Sequence, residues 1–393
     1  MHGTSGPISV VGVTASHPER KYPLREPIAT LLQKAGFDPN PDGNSGSIIG
    51  FSERCENWKH GKRQPASVAY RLANCKNVTI LTSTLVHKVL FDSTTAVGVE
   101  TSAGIFLASK EVIISAGSYR SPQLLLLSGV GPAATLSAHG IPLVLDAPDV
   151  GAHLHDHMAV SLYWKLEAQG SAIGDAALSG PAFHVGLPGD WLAFSHDLAV
   201  PAAAQREGAD ARTVAHLAHR PRCHTEVFTS YAPAGPGARK YTPDGATATT
   251  NVLGLTPTSR GSVSIAGTDP GAAPVIDPNY YATEADRVAI RNAVRKVLAS
   301  MLDTDEGRAI VEAELTAHPG SSDAAIDARV REWGASFYHP AGTCAMGKVV
   351  DGRCRVKGLN SLRVVDASIM PLPLGAHYQA TIYALSEKAA DLI

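Results

Sequence analysis

The sequence lacks the patterns that mark several large classes of protein. None of its apolar runs approaches the roughly 18 residues needed to span a bilayer. Its five cysteines are scattered and form no CxxC pair. Neither sign of charge dominates, because 34 Lys and Arg residues stand against 36 Asp and Glu residues. These absences argue against a membrane protein, a disulfide framework, a zinc module and a nucleic-acid-binding surface.

The chain is rich in apolar residues and in residues that form turns. Apolar residues make up 44% of the 393 and charged residues 18%, a balance that excludes a disordered chain. The 36 glycines and 26 prolines indicate a loop-rich globular fold, and the length suggests two or three domain-sized units. The first residues contain neither a basic nor an apolar segment, so we expect no export signal and, by default, a cytoplasmic protein.

Hydrophobic periodicity predicts both strands and helices. The predicted strands lie at residues 78–81, 85–91, 96–100, 105–107, 111–115, 261–265, 274–281 and 362–365. The predicted helices lie at residues 26–35, 121–128 with Pro122 in the first turn, 132–139, 286–301, 323–333 and 381–393. We expect the strands 111–115 and 362–365 to share one sheet, which would place both ends of the chain in one domain. From 158 to 259 the apolar residues are isolated, and this region predicts a second domain without a readable register.

Histidines on loops are the strongest candidates for chemistry, since imidazole exchanges protons near neutral pH. His339 stands at the start of a Pro/Gly turn that follows a predicted helix, and His377 immediately precedes the last helix. Loops between ordered elements commonly carry catalytic groups. Taken singly, however, each is better explained as an ordinary surface or core histidine.

A histidine-rich segment at residues 153–157 suggests a metal site. Its sequence is His-Leu-His-Asp-His, and alternate residues of a strand share one face. Yet no other His/Cys pair lies at metal spacing, and the segment follows a loop-like Asp-Val-Gly. We therefore expect no metal ion here.

Six groups of residues, spread over nearly the whole chain, match segments that occur in the same order in one known family of proteins. They are Arg63 with 67–70; 116–132; 140–142; 150–151 with Asp156 and His157; 260–263 with 276–278; and 339–347 with 362–368 and His377. Any one of these matches is weak, but the ordered set is specific. The set resembles the glucose–methanol–choline (GMC) family of flavin oxidoreductases.

The resemblance implies a reaction and roles for two histidines. Family members oxidise alcohols by passing a hydride from the carbinol carbon to the flavin while a histidine takes the hydroxyl proton. His339 matches that base, and His377 matches the group that orients the substrate oxygen. Removing the hydroxyl proton builds alkoxide character that drives hydride departure, and the pKa of imidazole suits this step. The implied partner is a small-molecule alcohol, primary or secondary.

The resemblance also implies a mixed α/β fold. An FAD-binding doubly wound domain would be formed by residues 1–157 and 335–393, with 1–60 as an extension on the substrate side. Residues 158–334 would form an antiparallel-sheet substrate-binding domain.

The cofactor implied by the resemblance is FAD. Val86 matches a position whose backbone meets the adenine, and Asp366 and Ala367 match a segment that meets the ribityl–pyrophosphate region. No GxGxxG follows a strand in this sequence, and residues 2–7 already resemble a later segment of the family. Because that glycine-rich turn supplies the helix N-terminus that holds the pyrophosphate, we expect an incomplete FAD-binding domain, a truncated N-terminus and weakened FAD binding. We also expect an exposed sheet that promotes self-association.

Two alternatives stay open. A flavin-free descendant could use the same pocket and histidines for acid–base chemistry, such as a lyase or cyclisation reaction. The missing fingerprint favours it, whereas the intact 362–368 segment counts against it. An inactive remnant that folds only with a partner would show a stability that depends sharply on concentration.

Overall fold

The structure, a computed structural model, describes residues 3, 5–167, 182, 185–220, 222–243 and 245–393. The chain divides into two units, which we call the sheet unit and the histidine unit. The sheet unit comprises Met1–Thr79, Met158–Thr256 and Thr283–Phe337. The histidine unit comprises Ile80–His157, Pro257–Ala282 and Tyr338–Ile393. Residues 2 and 4 of the 2–7 segment, and 168–181 of the predicted second domain, lie outside the described residues.

These units do not follow the predicted domain boundaries. Residues 1–60, expected as an extension on the substrate side, belong to the sheet unit, and so do residues 61–79, which were expected in the cofactor domain. Residues 257–282 belong to the histidine unit, although they lie inside the predicted substrate domain. The assignment of cofactor and substrate to separate domains stays a prediction.

A seven-stranded sheet dominates the sheet unit. Its strand Thr247–Gly254 pairs antiparallel with Met158–Leu166 on one side and with Thr225–Ser230 on the other. The remaining strands are Val311–Glu314, Ala335–Ser336, Trp191–Ser195 and Gly50–Glu53. All of these pairings are antiparallel, which confirms the antiparallel sheet expected for this part of the chain.

Helices pack around this sheet. The longest, Glu284–Leu298, begins where the Thr283 hydroxyl accepts the N–H of Asp286, which satisfies one of the amides left open at a helix start. Among the described residues of this unit, the other α-helices and helical turns are Val13–Ser16, Arg25–Lys34, Ala66–Ala69, Leu72–Asn74, Ala199–Arg206, Ala211–Ala218, Ala238–Lys240, Ala299–Asp303, Asp305–Arg308 and Asp323–Trp333. Two short strand pairs complete the unit: Val11–Gly12 with Cys55–Glu56, and Trp58–Lys59 with Lys62–Arg63. In the described part of the chain, no helix has the length and apolarity that crossing a membrane requires.

The histidine unit joins strands that are far apart in sequence. Val112–Ile114 pairs in parallel with Leu362–Val364, which confirms the predicted pairing of the two ends of the chain. A three-stranded antiparallel sheet is formed by Val86–Asp92, Thr95–Thr101 and Gly104–Leu107. The other elements are the helices Gly117–Leu127, Ala133–Ala138, Ala367–Ile369 and Gln379–Ala390, and the strand pairs Val130–Gly131 with Leu145–Asp146 and Ser262–Ser264 with Val275–Asp277.

An aliphatic core holds the histidine unit together. Leu125, Leu126, Leu136 and Val364 are each no more than 1% exposed in it. Each such leucine or valine side chain contributes roughly 1.5–3 kcal/mol relative to leaving it in water. This core fixes the parallel strand pair from which the loops of the candidate site extend.

Several of the predicted elements differ from the structure. The strand expected at 274–281 spans only Val275–Asp277. Residues 78–81 form no strand, and Val78, Ile80 and Leu81 are exposed. The strand Val112–Ile114 was expected to be buried, yet Ile113 is 41% exposed, because Leu362–Val364 is the one strand that pairs with it among the described residues.

The helix expected at 121–128, with Pro122 in its first turn, begins earlier, at Gly117, so that Pro122 lies inside it. A proline in that position cannot donate to the carbonyl of Ser118, four residues before it. The hydroxyl of Thr343 donates to this carbonyl at 2.6 Å. A side chain from a distant segment therefore replaces the missing helical hydrogen bond, which local sequence could not predict.

Candidate active site

Three histidines and a tyrosine converge in the histidine unit, and we call this group the histidine cluster. The ring centroids of His339 and His377, the two predicted site histidines, lie 4.7 Å apart. His157 lies 4.9 Å from His339, with the two rings almost perpendicular at 85°. The Tyr378 ring lies 4.7 Å from that of His157 and 5.4 Å from that of His339. Their proximity makes proton exchange among the imidazoles geometrically feasible.

Backbone pairing positions the cluster. The N–H of His155 donates to the carbonyl of Ala341 at 3.0 Å, and the N–H of Ala341 donates back to His155 at 2.8 Å. Leu154 and Gly261 make the same reciprocal contact on the other side. The 154–157 segment is thus extended, and it lies directly beside the turn that follows His339.

The extended backbone sends alternate side chains of this segment in opposite directions. His155 and His157 reach the carbonyls of Met370 and Leu374, at 3.2 Å and 3.0 Å respectively. His153 has a positive φ of 62° and its ring contacts Asp149 at 2.7 Å. Within the ranges the structure describes, no three His, Cys, Asp or Glu side chains are grouped so that they could hold a metal ion.

Asp156 is a site residue to which the sequence argument gave no role. Its side chain is only 3% exposed, and its Oδ1 accepts the backbone N–H of His339 at 2.9 Å. Its Oδ2 accepts the hydroxyl of Tyr280 at 2.5 Å. The signal for this role was its place between two histidines in an alternating run, where it must face away from them.

The turn after His339 is held by contacts from the start of the helix Gly117–Leu127. The Ser118 hydroxyl donates to the carbonyl of Pro340 at 2.6 Å, and the Ser118 carbonyl accepts from Thr343. Gly342 has φ +90°, and a Cβ there would lie 2.5 Å from the carbonyl oxygen of His153. Only glycine fits this position, because it combines a left-handed backbone with close approach to another chain segment.

Burial keeps three of these imidazoles neutral. It lowers the pKa of His155 to about 3, and the positive charge of Arg260 acts in the same direction. It also lowers the pKa of His339 to about 3, with His377 adding to the effect. The pKa of the fully buried His157 lies well below its ordinary value, again mainly because of desolvation. At neutral pH each of these rings therefore has one nitrogen that can accept a proton.

Asp366, predicted to contact the cofactor, has its carboxylate turned into the protein. Oδ2 accepts the N–H of Gly117 at 2.9 Å and the hydroxyl of Ser121, while Oδ1 accepts the N–H of Ser368 at 2.8 Å. The carboxylate thereby ties together the two loops that leave the paired parallel strands. The carbonyl of Ala367 accepts from the N–H of Met370 at 3.2 Å. The predicted cofactor contacts of Asp366 and Ala367 stay predictions.

A cavity of about 440 Å³ opens at the carboxyl end of the strand Val112–Ile114 and includes Val86 in its wall. The other lining residues are mainly aliphatic and come from 85, 99, 112–116, 120, 123, 124, 127 and 270. Apolar walls of this size suit a flat aromatic ring system such as adenine. The amides of Ala116 and Gly117 beside it already donate to Ser121 and Asp366, so the residues present fit the ring part of a dinucleotide better than its pyrophosphate.

Comparisons with known proteins agree with this architecture. Two family models, both described as GMC oxidoreductase, match residues 9–159 and 257–386. GMC-type oxidoreductase acuG of Aspergillus aculeatus is 41% identical over 390 residues, which cover 95% of this chain and 73% of that protein. Alcohol dehydrogenase [acceptor] of Pseudomonas putida is 32% identical over 420 residues, covering 100% of this chain and 71% of that protein.

A solved structure shows the same fold. Pyridoxine 4-oxidase from Mesorbium loti has a TM-score of 0.83 and 26% identity, over 99% of this chain and 72% of that one. The chain spans 65% to 73% of the length of the first curated relatives that it matches. The family matches extend over more than half of the chain. The chain therefore belongs to the GMC oxidoreductase family, a family of FAD-dependent oxidoreductases.

Proposed function

We propose that this chain oxidises a primary or secondary alcohol, with His339 accepting the hydroxyl proton and His377 orienting the substrate oxygen. The observation that carries the proposal is the 4.7 Å separation of these two rings. His339 is partly buried and His377 is exposed, so a substrate hydroxyl can approach from the side of His377. The name of one relative, alcohol dehydrogenase, supports the same class of substrate.

Burial of His339 keeps it in the form that can accept a proton, but it also weakens it as a base, because proton transfer is most efficient when the pKa lies near the working pH. Because desolvation holds its pKa at about 3, the imidazole is neutral at physiological pH and has a nitrogen that can accept a proton. The hydrogen bond from the backbone N–H of His339 to the Asp156 carboxylate holds the backbone of His339 in place. A fixed base lowers the entropic cost of reaching the transition state.

FAD, when bound, supplies the acceptor for the hydride that leaves the carbinol carbon. Val86 and the aliphatic cavity beside it would hold the adenine. Ala367 and the backbone around Asp366 would lie along the chain of the cofactor, at the carboxyl ends of the paired strands. Such loop positions are where open α/β sheets bind their ligands.

Two measurements test the proposal together. Purified protein is incubated with FAD, desalted and examined for flavin absorbance, and oxidation of a panel of primary and secondary alcohols is then followed with a dye as electron acceptor. We expect retained flavin and turnover that His339→Ala reduces by about 100-fold or more. His139→Ala, on the turn after a helix outside the histidine cluster, is the matched control and should keep the wild-type rate. A His339→Ala variant with most of its rate would refute the proposed base, and a folded protein without flavin would favour acid–base chemistry without the cofactor.

We also propose that the edge strand Gly104–Leu107 promotes self-association. All four of its residues are exposed, and Ile105 and Leu107 are 63% and 78% exposed. Exposed apolar edge strands favour pairing with another chain. Leu107→Lys should therefore lower the average mass measured by light scattering at high protein concentration, whereas Ala103→Lys on the neighbouring turn should not. Equal masses for the wild type and both variants would refute this proposal.

A further inference from the structure

We propose that His157 is a positioning residue that fixes the tautomer of His339, so that the lone pair accepting the substrate proton is on Nε2. The inference rests on the proposed function, because it concerns the same base. It assigns a role to a histidine for which the sequence argument gave none.

The first step is the contact between His157 and Leu374. Nε2 of His157 lies 3.0 Å from the carbonyl oxygen of Leu374. A carbonyl oxygen can only accept a hydrogen bond, so Nε2 of His157 must carry the proton. The ring is completely buried and its pKa is lowered by desolvation, and it is therefore neutral. A neutral imidazole protonated on Nε2 has an unprotonated Nδ1.

The second step passes this constraint to His339. Nδ1 of His157 lies 3.0 Å from Nδ1 of His339, a distance typical of a hydrogen bond. Since Nδ1 of His157 can only accept, Nδ1 of His339 must donate. His339 is neutral as well, because burial keeps its pKa at about 3. Its lone pair is consequently on Nε2, the nitrogen farthest from His157.

The opposite tautomer of His339 is unfavourable at this geometry. A proton on Nε2 of His339 would leave two lone pairs facing each other across 3.0 Å. Both Nδ1 atoms would then lose a hydrogen bond in a site where water cannot replace it, because His157 is completely buried. The carbonyl of Leu374 thus selects the proton position on His339 through His157.

The other polar groups around the cluster are compatible with this order. The Asp156 carboxylate contacts the backbone N–H of His339. Nε2 of His155 lies 3.2 Å from the Met370 carbonyl, which leaves Nδ1 of His155 to accept from the hydroxyl of Tyr378 at 3.4 Å. Other charged or titratable groups near the cluster include His377, a neighbour of His339, and Arg260, whose positive charge acts on His155 and Tyr378. The negative charge of Asp156 also acts on Tyr378.

Nuclear magnetic resonance gives the direct test. Protein with ¹⁵N-labelled histidine is examined by long-range proton–nitrogen correlation, which distinguishes the two tautomers of each ring, and the signals of His339 are identified from their loss in His339→Gln. We expect a protonated Nδ1 and an unprotonated Nε2 for His339 in the wild-type chain. A protonated Nε2 on His339 in the wild type would overturn the inference, without the need for any variant of His157.

Two substitutions of His157 test its role in setting the tautomer. In His157→Gln the side-chain oxygen can accept from His339 and the amide can donate to Leu374, so His339 should keep its tautomer. In His157→Leu neither bond can form, and His339 should populate both tautomers. His153→Asn is the matched control, since His153 lies on the same segment with a positive φ that asparagine tolerates and makes its ring contact to Asp149 instead. An unchanged tautomer in a folded His157→Leu variant would overturn the inference.

Turnover separates this inference from the proposed function. With an alcohol substrate, kcat should fall at least about tenfold in His157→Leu and recover in His157→Gln, with little change in KM. Turnover in a wild-type chain whose His339 is protonated on Nε2 would overturn this inference and leave the proposed function standing. The expected tautomer in a wild-type chain that oxidises no alcohol would overturn the proposed function and leave the tautomer assignment standing.

Discussion

The carboxylate of Asp156 accepts the backbone N–H of His339 at 2.9 Å, across 183 positions of the chain. The proposed base is therefore held through its backbone by one residue and through its ring by the next, His157. Three consecutive residues, His155 to His157, thus hold two loops, at 339–341 and at 370–374, that lie about 180 to 220 positions away in the sequence. Substitutions in this segment should disturb both stability and the geometry of the proposed base.

Removing the Asp156 carboxylate should destabilise the protein. In Asp156→Ala the partly buried N–H of His339 and the hydroxyl of Tyr280 lose the acceptor that Asp156 provides, and we expect a loss of about 1–3 kcal/mol in the free energy of unfolding measured with urea. Asp156→Asn keeps one oxygen and should lose less. Asp149→Ala is the control, because the Asp149 carboxylate is partly exposed and pairs with His153; such pairs contribute roughly 0–1 kcal/mol. Equal losses for Asp156→Ala and Asp149→Ala would contradict this interpretation of the contact.

The burial of His155 should make stability depend on pH. Its pKa is about 3 in the folded protein against an ordinary value of 6.5, so the unfolded chain binds one more proton between these two values. The free energy of unfolding should therefore be highest above pH 6.5 and fall as the pH decreases toward 3, by up to about 1.4 kcal/mol per pH unit for this one group. Urea unfolding at several pH values between 7 and 4 measures this slope.

The variant His155→Gln isolates the contribution of this residue. Glutamine does not titrate, so the slope of stability against pH should decrease by up to one proton, whatever the variant loses in stability at pH 7. His153→Gln, at a partly exposed position on the same segment, should keep a slope closer to that of the wild type. If both variants show the wild-type slope, His155 is protonated in the folded chain as readily as in the unfolded one.

The sequence predicted the parallel strand pair of the histidine unit, but it did not predict the individual strands of the seven-stranded sheet. Val112–Ile114 is a short apolar run, and Leu362–Val364 has an apolar residue on either side of Arg363. Their predicted pairing is confirmed. Met158–Leu166 was missed although its sequence alternates, with Met, Val, Leu, Trp and Leu on one face and Ala, Ser, Tyr and Lys on the other. Eight of its nine residues are nevertheless buried, so the polar face is also covered, which only the tertiary contacts determine. Residues 78–81 have the right composition for a strand but make no strand pairing in the described structure. Composition alone therefore gave a wrong prediction for this segment, because tertiary contacts determine whether it pairs as a strand.

Part of the candidate site could be predicted and part could not. His339 and His377 were found because their motifs resemble those of a family, and the structure brings their rings together. The contacts of His157 depend on the carbonyl of Leu374, which lies 217 residues away. Local sequence contains no information on such a pairing. The sequence predicted a loop without a metal ion for the histidines at 153–157. In the structure residues 154–157 are extended, and His155 and His157 contact backbone carbonyls.

The Thr343 hydroxyl should stabilise the helix that contains Pro122. It donates to the Ser118 carbonyl at 2.6 Å, the acceptor that a residue other than proline at 122 would satisfy. Thr343→Val keeps the shape of the side chain and removes the donor, so we expect a loss of about 1–3 kcal/mol in the free energy of unfolding. Thr82→Val at an exposed position is the control. A neutral Thr343→Val would mean that the Ser118 carbonyl finds another donor.

Gly342 should be the glycine near the proposed base that is hardest to replace, for two reasons: its positive φ and the close approach of another chain segment. Comparison with a second glycine, Gly347, separates these two effects. Gly342 and Gly347 have nearly the same positive φ, +90° and +85°, so alanine meets the same backbone strain of about 1–2 kcal/mol at each. A Cβ at Gly347 meets nothing within 4 Å, whereas at Gly342 it would lie 2.5 Å from the His153 carbonyl oxygen and 2.7 Å from the His155 ring.

The difference between the two alanine variants therefore measures the close approach alone. We expect Gly347→Ala to lose about 1–2 kcal/mol in urea unfolding and Gly342→Ala to lose clearly more. Since relief of the clash must push the His155 segment away, Gly342→Ala should also shift the His157 and His339 ring signals in the ¹⁵N spectrum, while Gly347→Ala should leave them in place. Equal destabilisation with unchanged histidine signals would show that the 339–343 turn and the 153–157 segment are not in contact in solution, and the anchoring of His339 would have to come from elsewhere.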